Sequence, residues 1–266
     1  MYTFYDLLSW ITALSYIFIS FFLFFDKENK KFLILIFLAS ITLLSHGLIL
    51  TIPWFSEEVL FFGFTTAFTW MLWLASIFIW VEAFFRGIIP SVARSVFFFS
   101  AISLILPLFF PPPELSLKLS LNFRVHILIA MLSYSSFVFS ALQAITVLVQ
   151  EKSLRVLNTR QPSLSLPSLL ELDSSLFRIL LITLLLLTGT LISGVFVNLE
   201  LGNNILIFDH KTLFSFMAWV LIIFVIFGKL VFGWRGRLVA RLTIFGFVLI
   251  FLAYIGTQFV IEVILN

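Results

Sequence analysis

The sequence predicts an all-α fold: a polytopic membrane helix bundle of eight transmembrane helices, with both termini on the outer side. Three observations predict it. Of 266 residues, 62% are hydrophobic and 11% are charged, against about a quarter charged in an ordinary soluble domain. Apolar runs of about twenty residues recur along the chain, each able to cross roughly 30 Å of hydrocarbon. Thirteen of the 16 Lys and Arg residues fall in alternate connections, the asymmetry of the positive-inside rule.

The spans lie at about 4–25, 32–52, 61–85, 91–110, 126–149, 179–198, 211–232 and 242–264. The first has no basic flank before its apolar run and no small-residue cleavage site, so it is expected to be a retained helix. Lys27, Lys30 and Lys31 follow it on the inner side. In the second, Ala39, Thr42 and His46 share one helical stripe. The third is aromatic; Trp70, Trp73 and Trp80, with Trp54 before it, are expected at packing and interfacial positions. Arg86 and Arg94 mark the next inner turn, and Pro111-Pro112-Pro113 opens the outer loop after span four. Span five places His126, Ala130, Ser133, Ser140 and Ala144 on one face. Small and hydroxylated residues of this kind let helix backbones approach closely in a bilayer. The inner loop 151–178, rich in Ser, Arg155, Arg160, Pro162 and Pro167, is expected to connect a five-helix part to a three-helix part. Span six offers Gly189, Thr190, Ser193 and Gly194 for contact, and span seven opens at His210. Lys229, Arg235, Arg237 and Arg241 then return the chain to the inner side before span eight. The whole of 1–266 is expected to form one integral membrane domain.

The chain has no cysteine, which rules out disulfides, thioether attachment of a cofactor and thiol chemistry within it. The net charge of +3 is carried by membrane-flanking loops and makes no case for nucleic acid. The sequence shows no Gly-rich phosphate loop, Ser/His/Asp arrangement or zinc-helix motif. The paired broken helices of an inverted-repeat transporter are not evident either. The protein is expected not to be an enzyme.

The three histidines carry the functional expectation. His126 and His210 open spans five and seven at their outer ends. His46 lies six residues below the outer end of span two, about 9 Å deep at 1.5 Å per residue. An imidazole is costly at membrane depth without a partner, and it is the commonest axial ligand of haem iron. His126, His210 and His46 are therefore candidate axial ligands of haem iron. Asp209, beside His210, is a candidate to fix the tautomer of a neighbouring imidazole. Taken singly, each histidine has an ordinary alternative: an interfacial hydrogen bond to water for His126 and His210, and a structural bond to a neighbouring helix for His46.

A resemblance covers the second half. It is carried by the run HILIAMLSYSSFVFS from His126, by ELDSSLFRILLITLLLLTGTLISGVF at 171–196, by FDHKTLFSFMAW at 208–219, and by Trp234-Arg235-Gly236-Arg237 before the last apolar span. In order and spacing, 121–266 resembles the cytochrome c assembly protein family, and most of all its short YpjD-like and HemX-like branch. Residues 1–120 match loosely, as a four-span preface. The resemblance implies b-type haem held without covalent attachment and handled at the outer face of a bacterial inner (cytoplasmic) membrane. It implies apocytochrome or other cytochrome-maturation proteins as partners beside the lipid bilayer. His126 falls where the family has an outer haem-binding histidine. Asp209 and Lys211 remain from a family loop ending Trp-Asp-Pro-Lys-Glu, Phe208 stands for its last tryptophan, and the other tryptophans of that loop are absent. Two other functions fit the same sequence: a non-enzymatic regulatory or scaffolding role of haem metabolism acting through the basic inner loops, and a small-molecule transporter.

Overall fold

A computed structural model of the chain describes residues 2–25, 31–56, 60–87, 89, 92–115, 120–156, 168–200, 202 and 209–265. The protein is almost entirely helical: α1 (Tyr2–Phe25), α2 (Phe32–Ser56), α3 (Phe64–Arg86), α4 (Ala93–Phe109), α5 (Leu121–Val156), α6 (Leu169–Glu200), α7 (His210–Phe232) and α8 (Arg237–Phe251). The last helix continues through two π-helical turns, Leu252–Gly256 and Val260–Ile264, around the short α-turn Thr257–Phe259. A two-residue antiparallel pairing of Leu60–Phe61 (β1) with Glu114–Leu115 (β2) ties the loop before α3 to the loop after α4.

Among the described residues, seven helices are long and apolar enough to cross a membrane, and the chain is a multi-pass membrane protein. The fourth expected span is apolar but only 17 residues long. At 1.5 Å per residue it covers about 25 Å, short of the hydrocarbon thickness. The fifth and sixth helices are longer than expected, at 36 and 32 residues. Their polar extensions continue as helix because ion pairs at that end hold them, as described below.

The chain forms two compact units. The first takes in residues up to 118 and residues 262–266; the second is Leu119–Ile261. In the first, α1 packs on α2, α2 on α3, α3 on α4 and α4 back on α1. In the second, α5, α6, α7 and α8 close in the same cyclic order. The five-plus-three division expected from the 151–178 loop is therefore corrected to four plus four. The reason is packing: α5 lies along α6 and α8, so that loop joins neighbours within one unit. Its residues 157–167, including Arg160, Pro162 and Pro167, lie outside the described residues.

The interiors are built from small, hydroxylated and aromatic side chains. Ala39, Thr42 and His46 of the expected α2 stripe are all buried, as are Ala130, Ser133, Ser140 and Ala144 of the α5 stripe. Large residues such as Phe21, Phe37, Phe85, Leu185 and Leu230 remain exposed on the outside of the helices, the pattern of a surface solvated by lipid. Hydrocarbon supplies no partner for the hydroxyls inside a unit. Most return to the carbonyl one turn back, as Ser135 does to Met131 and Thr243 to Val239.

Candidate functional site

The first unit encloses His46. Its ring is fully buried, and its Nδ1 lies 3.0 Å from the hydroxyl of Tyr16 on α1. Ser76 Oγ on α3 lies 2.9 Å from Ser100 Oγ on α4. Two pairs of polar side chains, Tyr16 with His46 and Ser76 with Ser100, one residue from each helix, thus lie inside the unit. All four are 0% exposed. The other ring nitrogen, His46 Nε2, is buried and has no hydrogen-bond partner.

Aromatic rings line the same region. Trp73 lies 6.3 Å from His46 between ring centroids, and Trp70 and Trp54 follow in edge-to-face steps of 5.5 Å. Trp73 is held by donating from Nε1 to the Leu43 carbonyl, and Trp80 by donating to Ser40 Oγ. Gly47 makes the approach of Trp73 possible, since a Cβ there would sit 2.7 Å from the indole. Of the tryptophans expected at packing and interfacial positions, Trp54 and Trp70 are buried in packing.

The second unit holds His126 and His210. His126 is half-buried near the start of α5, with Nδ1 2.8 Å from Ser193 Oγ on α6. Gly194 beside it has no side chain to crowd the imidazole; a Cβ there would meet His126 Cε1 at 3.3 Å. The Ser193 hydroxyl also reaches the Thr190 carbonyl, at 3.1 Å. A serine has one proton to give. With that proton on the carbonyl, His126 donates from Nδ1 and keeps a lone pair on Nε2. Asn122 and Ser120 both donate to Glu200, joining the same ends of α5 and α6.

His210 stands exposed as the first residue of α7. Asp209 is the N-cap of that helix, its Oδ1 accepting from the Thr212 backbone N–H at 2.8 Å. This satisfies one of the donors that every helix start leaves open. Lys211 lies over the Tyr254 ring, 5.0 Å from its centroid. Phe208, the expected stand-in for a loop tryptophan, lies outside the described residues. His46 belongs to the first unit, and His126 and His210 to the second. Among the described residues, no set of three or more His, Asp or Glu side chains gathers to hold a metal ion.

Ion pairs hold the opposite end of the second unit. Lys229 and Asp173 join α7 to α6 at 2.6 Å, and Arg237 and Glu151 join α8 to α5 at 2.9 Å. Trp234 folds back over Gly228, where a Cβ would collide with the indole. The turn between them uses Gly233 in the left-handed region, at φ 67°.

Sequence reasoning missed Tyr16, Ser76, Ser100 and Asp173. The first three are lone polar residues in mid-span, and a count of them along each helix would have marked them.

The fold is that of a multi-pass membrane protein in which His46 and His126 are each tied by Nδ1 to a hydroxyl group. The chain belongs to the cytochrome c assembly protein family, whose pattern it matches over residues 2–265. It is similar to the inner membrane protein YpjD of Escherichia coli, at 31% identity over 175 residues. That match covers 64% of this chain and 64% of YpjD, so the chain spans just under two thirds of that relative's length. It is also similar to the cytochrome c biogenesis protein CcsA of Prochlorococcus marinus, at 27% identity over 154 residues, about half of each chain.

Proposed function

We propose that the protein binds haem and handles it at the outer face of a bacterial inner membrane during cytochrome c assembly. It acts by binding and handing on, without making or breaking bonds in a substrate. The observation that carries this reading is His126. It is a half-buried imidazole whose Nδ1 is engaged by Ser193 while Nε2 is left to bond a ligand. Family membership and the likeness to a cytochrome c biogenesis protein favour haem as that ligand.

The residues fit the group. A porphyrin supplies four of its iron's ligands, so one or two imidazoles suffice and no protein cage is needed. Neutral imidazole is the form that bonds iron, and a hydroxyl on the far nitrogen orients the ring. His210, exposed at the start of α7, is the second candidate ligand of this unit, and His46 is a separate candidate in the first unit. With 13 of the 16 basic residues in the opposite set of connections, the His126 end faces outward by the positive-inside rule. Partners are then apocytochrome or other maturation proteins that meet this face.

The test is optical. Protein purified in mild detergent and titrated with haem should develop a Soret band, which weakens in His126→Ala and, for a paired ligand, in His210→Ala. Identical spectra in the parent and both variants would remove the assignment.

A further inference from the structure

A groove of about 430 Å³ runs between α1 and α2 in the first unit, lined by Leu14, Ser15 and Phe18 of α1 and by Leu38, Ile41 and Thr42 of α2. Leu14, Phe18 and Ile41 are each more than half exposed, so in a bilayer the groove opens onto lipid. Two hydroxyls stand in its walls. Ser15 Oγ donates to the Ile11 carbonyl and Thr42 Oγ1 to the Leu38 carbonyl, both at 2.9 Å. A hydroxyl has one proton, so these side chains offer the groove no donor. A polar group placed there would lose its water without gaining a donor, which is unfavourable. The occupant that fits is a hydrocarbon chain.

Both walls lead to one cation. On α1, the Phe18 and Phe22 rings lie one turn apart with centroids at 5.3 Å, and Lys31 Nζ stands over the Phe22 ring, 4.4 Å from its centroid. On α2, the Lys31 carbonyl accepts the Leu35 N–H at 3.0 Å and so opens the helix. Leu38 and Thr42 follow Lys31 seven and eleven residues on, along the same helical stripe. At 1.5 Å per residue, Thr42 lies about 16 Å from Lys31 along the axis. This is about half of a hydrocarbon core of roughly 30 Å, the depth of one leaflet.

We propose that the α1–α2 groove holds one acyl chain of an anionic phospholipid, whose phosphate is met by Lys31. The lipid comes from the leaflet on the side of the basic connections, the inner one by the positive-inside rule. An exposed ammonium at the mouth of an apolar groove one leaflet deep complements a phosphate that carries an acyl chain. The site lies apart from His126 and His210, which belong to the second unit, and does not depend on haem.

Native mass spectrometry of the full chain counts the lipid it retains. The protein is reconstituted in vesicles of equal phosphatidylglycerol and phosphatidylcholine and released in mild detergent. The parent should keep a phosphatidylglycerol in preference to phosphatidylcholine. Lys31→Gln, a change at an exposed position, should still keep a lipid but lose that preference by about fivefold. Leu14→Trp combined with Ile41→Trp fills the groove from its lipid-facing side and should abolish retention of both lipids. Arg241→Gln removes an exposed charge of the second unit and should change neither reading. Unchanged retention in the groove-filling variant overturns the proposal. So does an equal fall in preference in Arg241→Gln, which would mark a general attraction of basic loops for anionic lipid. A dimer mass in place of the lipid adduct would assign the groove to a second copy of the chain and overturn it too.

Discussion

Lys229 reaches from α7 to Asp173 on α6, donating to its carboxylate at 2.6 Å and to its backbone carbonyl at 3.1 Å. The same carboxylate accepts the Gly236 backbone N–H at 3.3 Å. One largely buried acid therefore fastens α6, α7 and the turn into α8. Removing one partner of such a pair strands the other charge, which costs about 3–5 kcal/mol. Asp173→Ala should lower stability by about 3 kcal/mol, read as an earlier thermal unfolding transition in detergent. Lys229→Met with Asp173→Leu should recover much of that loss, because the stranded charge is gone.

The Gly47–Trp73 contact predicts a strain. Gly47→Ala places a methyl group 2.7 Å from the indole, so Trp73 must move and its bond to the Leu43 carbonyl is broken. Overpacking of this kind costs about 1–3 kcal/mol. Altered tryptophan fluorescence together with a lowered transition temperature is the expected result; a variant matching the parent in both would contradict the contact.

Ser193→Ala separates ligation from stability. A single hydroxyl bond between helices in a membrane contributes only about 0.6 kcal/mol, so unfolding should hardly change. The His126 imidazole loses its orienting partner, so haem affinity should fall by about tenfold. Soret titration of the variant against the parent measures this. Equal affinity would show that Ser193 does not set the ring.

Glu262 accepts the Phe64 backbone N–H, at 3.2 and 3.4 Å from its two oxygens. It thereby serves the open N-terminus of α3 from 198 residues away in sequence. Glu262→Ala should cost about 1 kcal/mol, as the loss of an N-cap does, and should speed hydrogen exchange at the Phe64 amide. Glu262→Gln, which retains an acceptor oxygen, should lose less.

The helices and their buried stripes were legible because both are local properties. An apolar run of membrane length declares a helix by itself, and α2 and α5 buried the faces that their Ala, Ser, Thr and His spacing marked. The candidate site was legible only as residue types: His126 beside a contact-forming span six was visible, whereas its bond to Ser193 was not. The roles of Tyr16 and Asp173 were hidden for the same reason. Tyr16 meets His46 30 residues on, and Asp173 meets Lys229 56 residues on.

The amino-acid sequence alone determined an almost entirely helical membrane protein, where its apolar helices lie, and which family it joins. Hydrocarbon thickness and backbone hydrogen bonding impose those features one segment at a time. Only the tertiary structure decided that the helices close as four plus four, and that His46 is bonded through Nδ1 while Nε2 is left bare. Partner choice depends on which helices become neighbours. That is settled by how small and large side chains interlock across a whole unit, a condition no single segment contains.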